Sequence, residues 1–271
     1  MGFAESFQIW FLVLIGIGVI ISSIGFVKFI WFISIGYGFS VAGMGVGMLI
    51  IFRNSLTIGT TLACILFIVY GCRLGGYLAI RELKSTAYKN HMKSEIKDKN
   101  SIKVGAMIAT WLGCALLYAL QVSAVYFRLS RGMGTDVTCI VGVAIMALGI
   151  FTESLADFQK SRSKKKNPTR FCDTGLYRIV RCPNYLGEIL FWTGVFVSGT
   201  TAMSGPWQWI SALTGYLCIV YIMFGGARRL EIRQNKNYGA DEEYQRYVKK
   251  TPIIIPLIPL YSVEKHKWLV G

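Results

Sequence analysis

Histidine is almost missing from this sequence. His91 and His266 are the only two in 271 residues, and both lie in polar loop or tail segments. That scarcity argues against a histidine-based triad and against a zinc enzyme, and no metal is expected. Acid is also scarce, with 14 Asp and Glu against 29 Lys and Arg, for a formal charge of +15. Such a balance suits nucleic acid or an anionic membrane surface. The rest of the composition decides for the membrane. At 54% hydrophobic residues and a mean hydropathy of +0.49, too little polar surface remains to cover a soluble domain of this size. No nucleic-acid partner is expected. The cysteines (Cys64, Cys72, Cys114, Cys139, Cys172, Cys182 and Cys218) are odd in number and contain no C-x-x-C, so they read as reduced packing residues. Neither a Rossmann fingerprint nor a P-loop occurs. Repeats, low-complexity tracts and a second domain are likewise absent, so residues 1-271 are expected to form a single membrane domain.

Long apolar runs are what the chain does have. Seven are long enough to be spans: Gln8–Ile24, Phe29–Phe52, Leu56–Ala79, Val104–Phe127, Val137–Thr152, Tyr185–Thr200 and Trp207–Gly226. They predict an all-α polytopic membrane protein with about seven transmembrane helices. The fifth and sixth are short, which implies tilt or partial burial in a polar pocket. The first does not read as a cleaved signal, because Glu5 stands where a basic segment would be. Basic residues fall on alternate loops: Lys28, then Arg81 to Lys103, then Lys160 to Arg181, then Arg228 onward. The opposite loops hold Arg53, Arg128 and Arg131. The positive-inside rule then puts the N-terminus outside and the C-terminus in the cytosol. Arg81–Lys103 reads as a partly helical loop. In the tail, Pro252–Tyr261 is too short and Pro-rich to span, and either lies in the interface or folds back on the core. Gly43, Gly45 and Gly47 alternate inside the second run, where small residues let helices approach closely.

Ionisable side chains inside a bilayer cost several kcal/mol unless they face a partner or water, so three clusters stand out. Tyr70, Arg73, Tyr77 and Arg81 share one helical face at the end of the third run; the plain alternative is a snorkelling arginine among interfacial tyrosines. Glu153, Asp157 and Lys160 share a face at the end of the fifth run, where the alternative is a frayed, solvated helix end. The third cluster is Arg170–Glu188, RFCDTGLYRIVRCPNYLGE. It sets Arg170, Arg178 and Arg181 ahead of a helix starting near Pro183, with Asn184 and Glu188 on one face of it. Guanidiniums beside a helix N-terminus suit phosphate oxygens. A positive-inside loop explains the arginines equally well, but not Glu188. In the tail, Arg228, Arg229, Glu231, Arg233, Tyr238, Tyr244 and Tyr247 either close over a nucleotide or form a solvated segment.

The stretches ALGIFTESLADFQK (Ala147–Lys160) and TGLYRIVRCPNYLGEILFWTG (Thr174–Gly194), with the tail EEYQRYVKKTPIIIP, resemble the steroid 5α-reductase-like membrane proteins. The likeness is closest to the branch called the domain-of-unknown-function 1295 family, and it runs from about Tyr70 to Pro256. The resemblance implies a seven-helix reductase that holds NADPH in a cytosolic-side cavity and delivers hydride to the β-carbon of an activated C=C in a lipid or sterol-like substrate. Carried over by position, Arg73, Asp157, Arg170, Asn184, Glu188 and Arg229 contact or order the cofactor. Lys160, Tyr177, Arg178, Arg181 and Tyr185, from the same motifs, join that set. Tyr70 matches the tyrosine that donates to the substrate carbonyl, where a phenol stabilises the developing enolate. Two departures stand against this pattern. The steroid reductases pair that tyrosine with a glutamate in the second span, whereas Ser34-Ile35-Gly36-Tyr37-Gly38 is neutral. The usual Arg-His-Pro-Asn-Tyr is Arg181-Cys182-Pro183-Asn184-Tyr185 here, and a thiol does not replace imidazole hydrogen bonding. Two other readings stay open. One is an S-adenosylmethionine-dependent membrane methyltransferase of the isoprenylcysteine or phospholipid type, which shares the Gly-Leu-Tyr-Arg segment. The other is a non-catalytic subunit of a larger membrane complex on the same fold. Expected partners are the bilayer and a hydrophobic small molecule. An endoplasmic-reticulum or other intracellular membrane fits a eukaryotic protein, and the inner membrane a bacterial one.

Overall fold

The protein's structure, a computed structural model, describes residues 9–84 and 103–270. Among them the chain is helical, with no strand: α1 Ile9–Ser22, α2 Ile35–Ile51, α3 Ile58–Lys84, α4 Val104–Ser130, α5 Val137–Lys166, α6 Pro183–Gly199, α7 Pro206–Tyr238 and α8 Glu242–Lys250. Short 3-10 turns cover Ser23–Phe26, Phe29–Phe32 and Gly175–Arg178. Six segments are long and apolar enough to cross a membrane: Ile9–Phe26, Phe29–Ile51, Ile58–Glu82, Val104–Ser130, Val137–Lys166 and Pro206–Tyr238. The expected sixth span is α6. Its 17 residues reach about 26 Å at 1.5 Å per residue, short of a hydrocarbon core of about 30 Å.

Three helices run past the ends that hydropathy assigns them. The third apolar run stops at Ala79, but α3 continues to Lys84. The fifth stops at Thr152, but α5 continues to Lys166; the seventh stops at Gly226, but α7 continues to Tyr238. Charge ends an apolar run without ending a helix, because Lys, Arg, Glu and Gln are good helix formers. Helix α5 stops at Asn167-Pro168, where the residue before proline is pushed out of the helical region, and α7 stops at Tyr238, just before Gly239. Glu153 is therefore well inside α5 and buried, not at a frayed end. Most of Arg81–Lys103 lies outside the described residues.

Two compact units share the chain: Met1–Val143 with Val195–Tyr216, and Ala144–Gly194 with Leu217–Gly271. In the first, α2 and α3 touch backbone to backbone. A Cβ on Gly71 would fall 2.2 Å from the Gly38 carbonyl, and one on Gly38 would fall 2.6 Å from the Gly75 nitrogen. Gly45 meets the Cys64 carbonyl on the same seam, while Gly43 and Gly47 take Ile21 and Ile17 of α1. Lys28 and the Trp31 indole both donate to Glu82 at the far end of α3. Where α4 turns into α5, Arg128 is 1% exposed and fully engaged. It donates to the Ser198 and Gly134 carbonyls, to both Asp136 oxygens at 2.9 Å, and to Thr138 and Thr201.

Partial desolvation alone would raise the Asp136 carboxyl. Hydrogen bonds from Thr201, the Cys139 N–H, Arg128 and Thr138 outweigh it and hold the group well below the usual carboxylate range. A depressed folded-state value contributes stability that is present above the unfolded value of about 3.9 and is lost as pH falls through the folded one. Thermal melts of the detergent-solubilised protein are therefore expected to fall as pH drops below about 5. Asp136→Asn is expected to flatten that part of the curve, and an unchanged acid limb would count against the network.

In the second unit, α5 and α6 meet at another glycine contact. A Cβ on Gly149 would lie 2.5 Å from the Phe191 nitrogen, and one on Gly187 would lie 2.7 Å from the Glu153 nitrogen. The tail folds back on the core. Arg181 and Cys182 donate their N–H groups to the Pro252 and Ile253 carbonyls at 2.8 and 2.9 Å. Ile253, Ile254, Val263 and Leu269 pack with Cys182, Ala227 and Leu230. Of the two expectations for Pro252–Tyr261, folding back is the one observed.

Candidate functional site

The first unit holds a buried cluster of phenols. Tyr70 is 0% exposed and Tyr37 7%. The close α2–α3 seam brings the two together across 33 residues of sequence, so that the Tyr70 hydroxyl donates to the Tyr37 hydroxyl at 2.9 Å. Tyr118 of α4 packs its ring 5.1 Å from that of Tyr37 and donates to the Phe32 carbonyl at 2.6 Å. The neutral stretch Ser34-Ile35-Gly36-Tyr37-Gly38 thus supplies a tyrosine that meets Tyr70 directly. Sequence reasoning passed over Tyr37, because the alternating Gly36, Tyr37 and Gly38 carry no charge. Further along α3, the Arg73 and Arg81 guanidiniums lie 6.0 and 5.6 Å from the Tyr77 ring. The face predicted for these residues is therefore formed, with Tyr77 between two cations.

The second unit brings together the three motifs that lie far apart in sequence. Gly175 takes φ 63, and a Cβ there would lie 2.4 Å from Gln159. Only glycine allows both the backbone and the contact. The Gln159 amide oxygen then accepts from the Leu176 N–H at 2.8 Å, tying the Asp157–Lys160 segment of α5 to the Gly-Leu-Tyr-Arg turn. Tyr177 is 3% exposed, and its hydroxyl is held by the Ala156 carbonyl. Its own carbonyl accepts from Tyr247 of α8 at 2.7 Å. Burial, first of all, raises the phenols of Tyr177 and Tyr247 far above their ordinary range, so both stay neutral donors. Phe171 stacks on Tyr247 at 5.4 Å and packs at 5.3 and 6.0 Å against Tyr244 and Tyr238 at steeper angles. The tail tyrosines are thereby engaged in packing and are not a solvated segment.

The arginines divide by what surrounds them. Arg170 is exposed and pairs with Asp173 at 2.9 Å and Glu243 at 2.5 Å. Arg181 is buried, bonded to Glu231 at 2.7 Å and to the Tyr261 carbonyl. Arg178 and Arg229 are exposed and form no ion pair among the described residues. The Asp157 and Lys160 side chains are half-buried, and Lys160 lies in the fields of Asp157 and Arg233. At the start of α6, Asn184 Oδ1 is buried without a hydrogen-bond partner. Glu188, one turn on, is 4% exposed and accepts from the Trp192 indole at 3.3 Å. Tyr185 lays its ring against Gly226 of α7.

Cys182 is 1% exposed within the apolar tail core. Burial, the largest influence, pushes its thiol up to about 12. This position packs and makes no imidazole-type hydrogen bond. Glu82, Glu231 and Gln159 are polar groups that the sequence reading did not single out as partners. The local signals were Glu82, three residues past Ala79 at the end of the third apolar run, and Gln159 between Asp157 and Lys160.

No curated protein and no solved structure matches the sequence. A protein family does match, over residues 15–251, and it covers the phenol cluster, the first two motifs and the tail motif as far as Thr251. The chain belongs to the family described as "Protein of unknown function (DUF1295)".

Proposed function

We propose that this is a membrane reductase that uses NADPH to saturate an activated C=C bond in a lipid or sterol-like substrate, with its C-terminus on the cytosolic side. The observation that carries the reading is the buried Tyr70–Tyr37 hydrogen bond of 2.9 Å. A phenol at the end of a phenol chain, among apolar helices, polarises a carbonyl without introducing a charge into the bilayer. The fit of the cofactor rests on the second unit. Arg178 and Arg229 are open cations, and α6 begins at Pro183 with an unpartnered buried oxygen on Asn184. That set suits phosphate oxygens and a hydroxyl or amide donor. Arg170 and Arg181 are engaged by carboxylates and brace the tail in this reading, while Arg178, Arg229, Asn184, Asp157, Lys160 and Glu188 hold the cofactor. When bound, NADPH supplies the hydride for the β-carbon. For this role the Tyr70 O–H turns from Tyr37 to the oxygen on which the electron pair collects, and the Tyr37 hydroxyl donates in turn to the Tyr70 oxygen and holds it in place.

Titration of the purified protein with NADPH tests this. Arg178→Ala and Asn184→Ala are each expected to weaken binding roughly tenfold, about 1.4 kcal/mol. No binding by the wild type, or unchanged affinity in both variants, would sink the reading. Heat released by S-adenosylmethionine instead would favour the methyltransferase alternative.

A further inference from the structure

Gln121 stands out among the residues of α4. It is 4% exposed, and neither its amide oxygen nor its amide nitrogen has a hydrogen-bond partner. Its neighbours Ala115, Tyr118, Ala119, Val122 and Val125 are all buried. A primary amide in such surroundings loses its water and gains nothing, which native interiors avoid unless another group meets it. The position is informative. Helices α2 and α4 run in the same direction, as ring contacts show: Tyr37 meets Tyr118 toward one end, and Phe52 meets Tyr126 toward the other. Gln121 lies one turn beyond Tyr118, about 5 Å along α4. Tyr118 packs on Tyr37, which accepts from Tyr70. The phenol pair and the unmet amide therefore stand at nearly the same depth of the first unit. Neither α2 nor α4 as far as Phe127 carries a charged residue.

We propose that the interior of this unit holds the oxygen-bearing end of a neutral, lipid-soluble ligand, and that the Gln121 amide hydrogen-bonds a ketone or hydroxyl oxygen on it. In naming a substrate pocket this rests on the reductase reading; in naming a ligand site it stands on the amide alone. The chemistry favours a neutral oxygen over an anion, because an amide offers two N–H donors and one acceptor but no charge. Val41, Met44 and Met48 of α2 and Phe67 of α3, all 0% exposed, keep the interior of this unit largely apolar.

The test uses the full chain in detergent without nucleotide and compares cholest-4-en-3-one with cholest-4-ene, the same skeleton lacking oxygen. The enone is expected to raise the wild-type Tm and the hydrocarbon to leave it unchanged. Gln121→Leu is expected to raise the Tm of the ligand-free protein, because it removes an unmet buried amide, and to weaken enone binding roughly tenfold. Gln121→Met, more flexible in shape, serves as the second apolar replacement. A lower ligand-free Tm in both variants would show that the amide is already satisfied, and would overturn the proposal. Equal effects of the two probes, or no wild-type shift with the enone, would overturn it as well; the latter is the outcome if a water fills the site. A protein that fails to bind NADPH would still show these shifts, so failure of the reductase reading and failure of this one are told apart.

Discussion

Glu231→Ala is expected to destabilise the protein by about 3–5 kcal/mol, the usual cost of removing one member of a buried ion pair. Glu231 is 1% exposed on α7, and it accepts from Arg181 at 2.7 Å and from the Val263 N–H at 2.8 Å. Arg181 sits one residue before Cys182 and also donates to the Tyr261 carbonyl. Its backbone N–H holds Pro252. One carboxylate thus fixes two separate points of the returning tail, at Tyr261 and Val263. Without it, the guanidinium is left buried and uncompensated, and the Val263 N–H loses its acceptor. Chemical or thermal unfolding in detergent reads the loss, and protease cleavage within residues 251–270 reports detachment of the tail. The double variant Arg181→Met/Glu231→Leu is expected to lose less than Glu231→Ala, because it removes both charges and keeps the volume. A loss below about 1 kcal/mol in Glu231→Ala would show that the pair is not what anchors the tail.

The same pair shows what a sequence can and cannot convey. Arg181 stands out at once as a charge beside an apolar run, and so do Glu153 and Glu188. Their residue types and local spacing are enough, because an ionisable group near a membrane helix is costly wherever it points. What Arg181 points at is another matter. Its partner lies 50 residues on, and one of the two carboxylates that Arg170 meets lies 73 residues on, the other being the nearby Asp173. No periodicity links positions so far apart, so two arginines that suit phosphate by composition prove to be engaged by carboxylates. The Tyr70–Tyr37 pairing was hidden for a related reason. It depends on how closely α2 and α3 approach, which glycines permit but do not announce. Helix existence was legible from hydropathy, and helix length was not, because the polar extensions of α3, α5 and α7 lie outside any apolar window. Those extensions carry Glu82, Asp157, Lys160, Arg229 and Glu231, most of the polar residues on which the two units depend. The start of α6 was legible because proline has a positional meaning at a helix N-terminus.

Gly71→Ala is expected to cost about 3 kcal/mol, at the upper end of ordinary overpacking, and to loosen the phenol pair. The added methyl would lie 2.2 Å from the Gly38 carbonyl, 2.7 Å from the Ala42 nitrogen and 2.8 Å from the Ala42 Cβ. The first two are backbone atoms of α2, so no side-chain rotation relieves the contact; the two helices must separate. Tyr70 sits next to Gly71 on α3 and Tyr37 next to Gly38 on α2, so separation acts directly on the 2.9 Å bond between them. Gly76 provides the control on the same helix, because a Cβ there meets nothing within 4 Å. Gly76→Ala is expected to be neutral or to stabilise by up to about 1 kcal/mol, through helix propensity alone. Thermal melts of both variants, with ultraviolet resonance Raman of the tyrosine modes to follow the hydrogen bond, separate the two effects. If the seam is as close as described, Gly71→Ala lowers the Tm and shifts the tyrosine signal while Gly76→Ala does neither. Equal behaviour of the two would mean that α2 and α3 do not touch at Gly71, and that Tyr37 does not orient Tyr70.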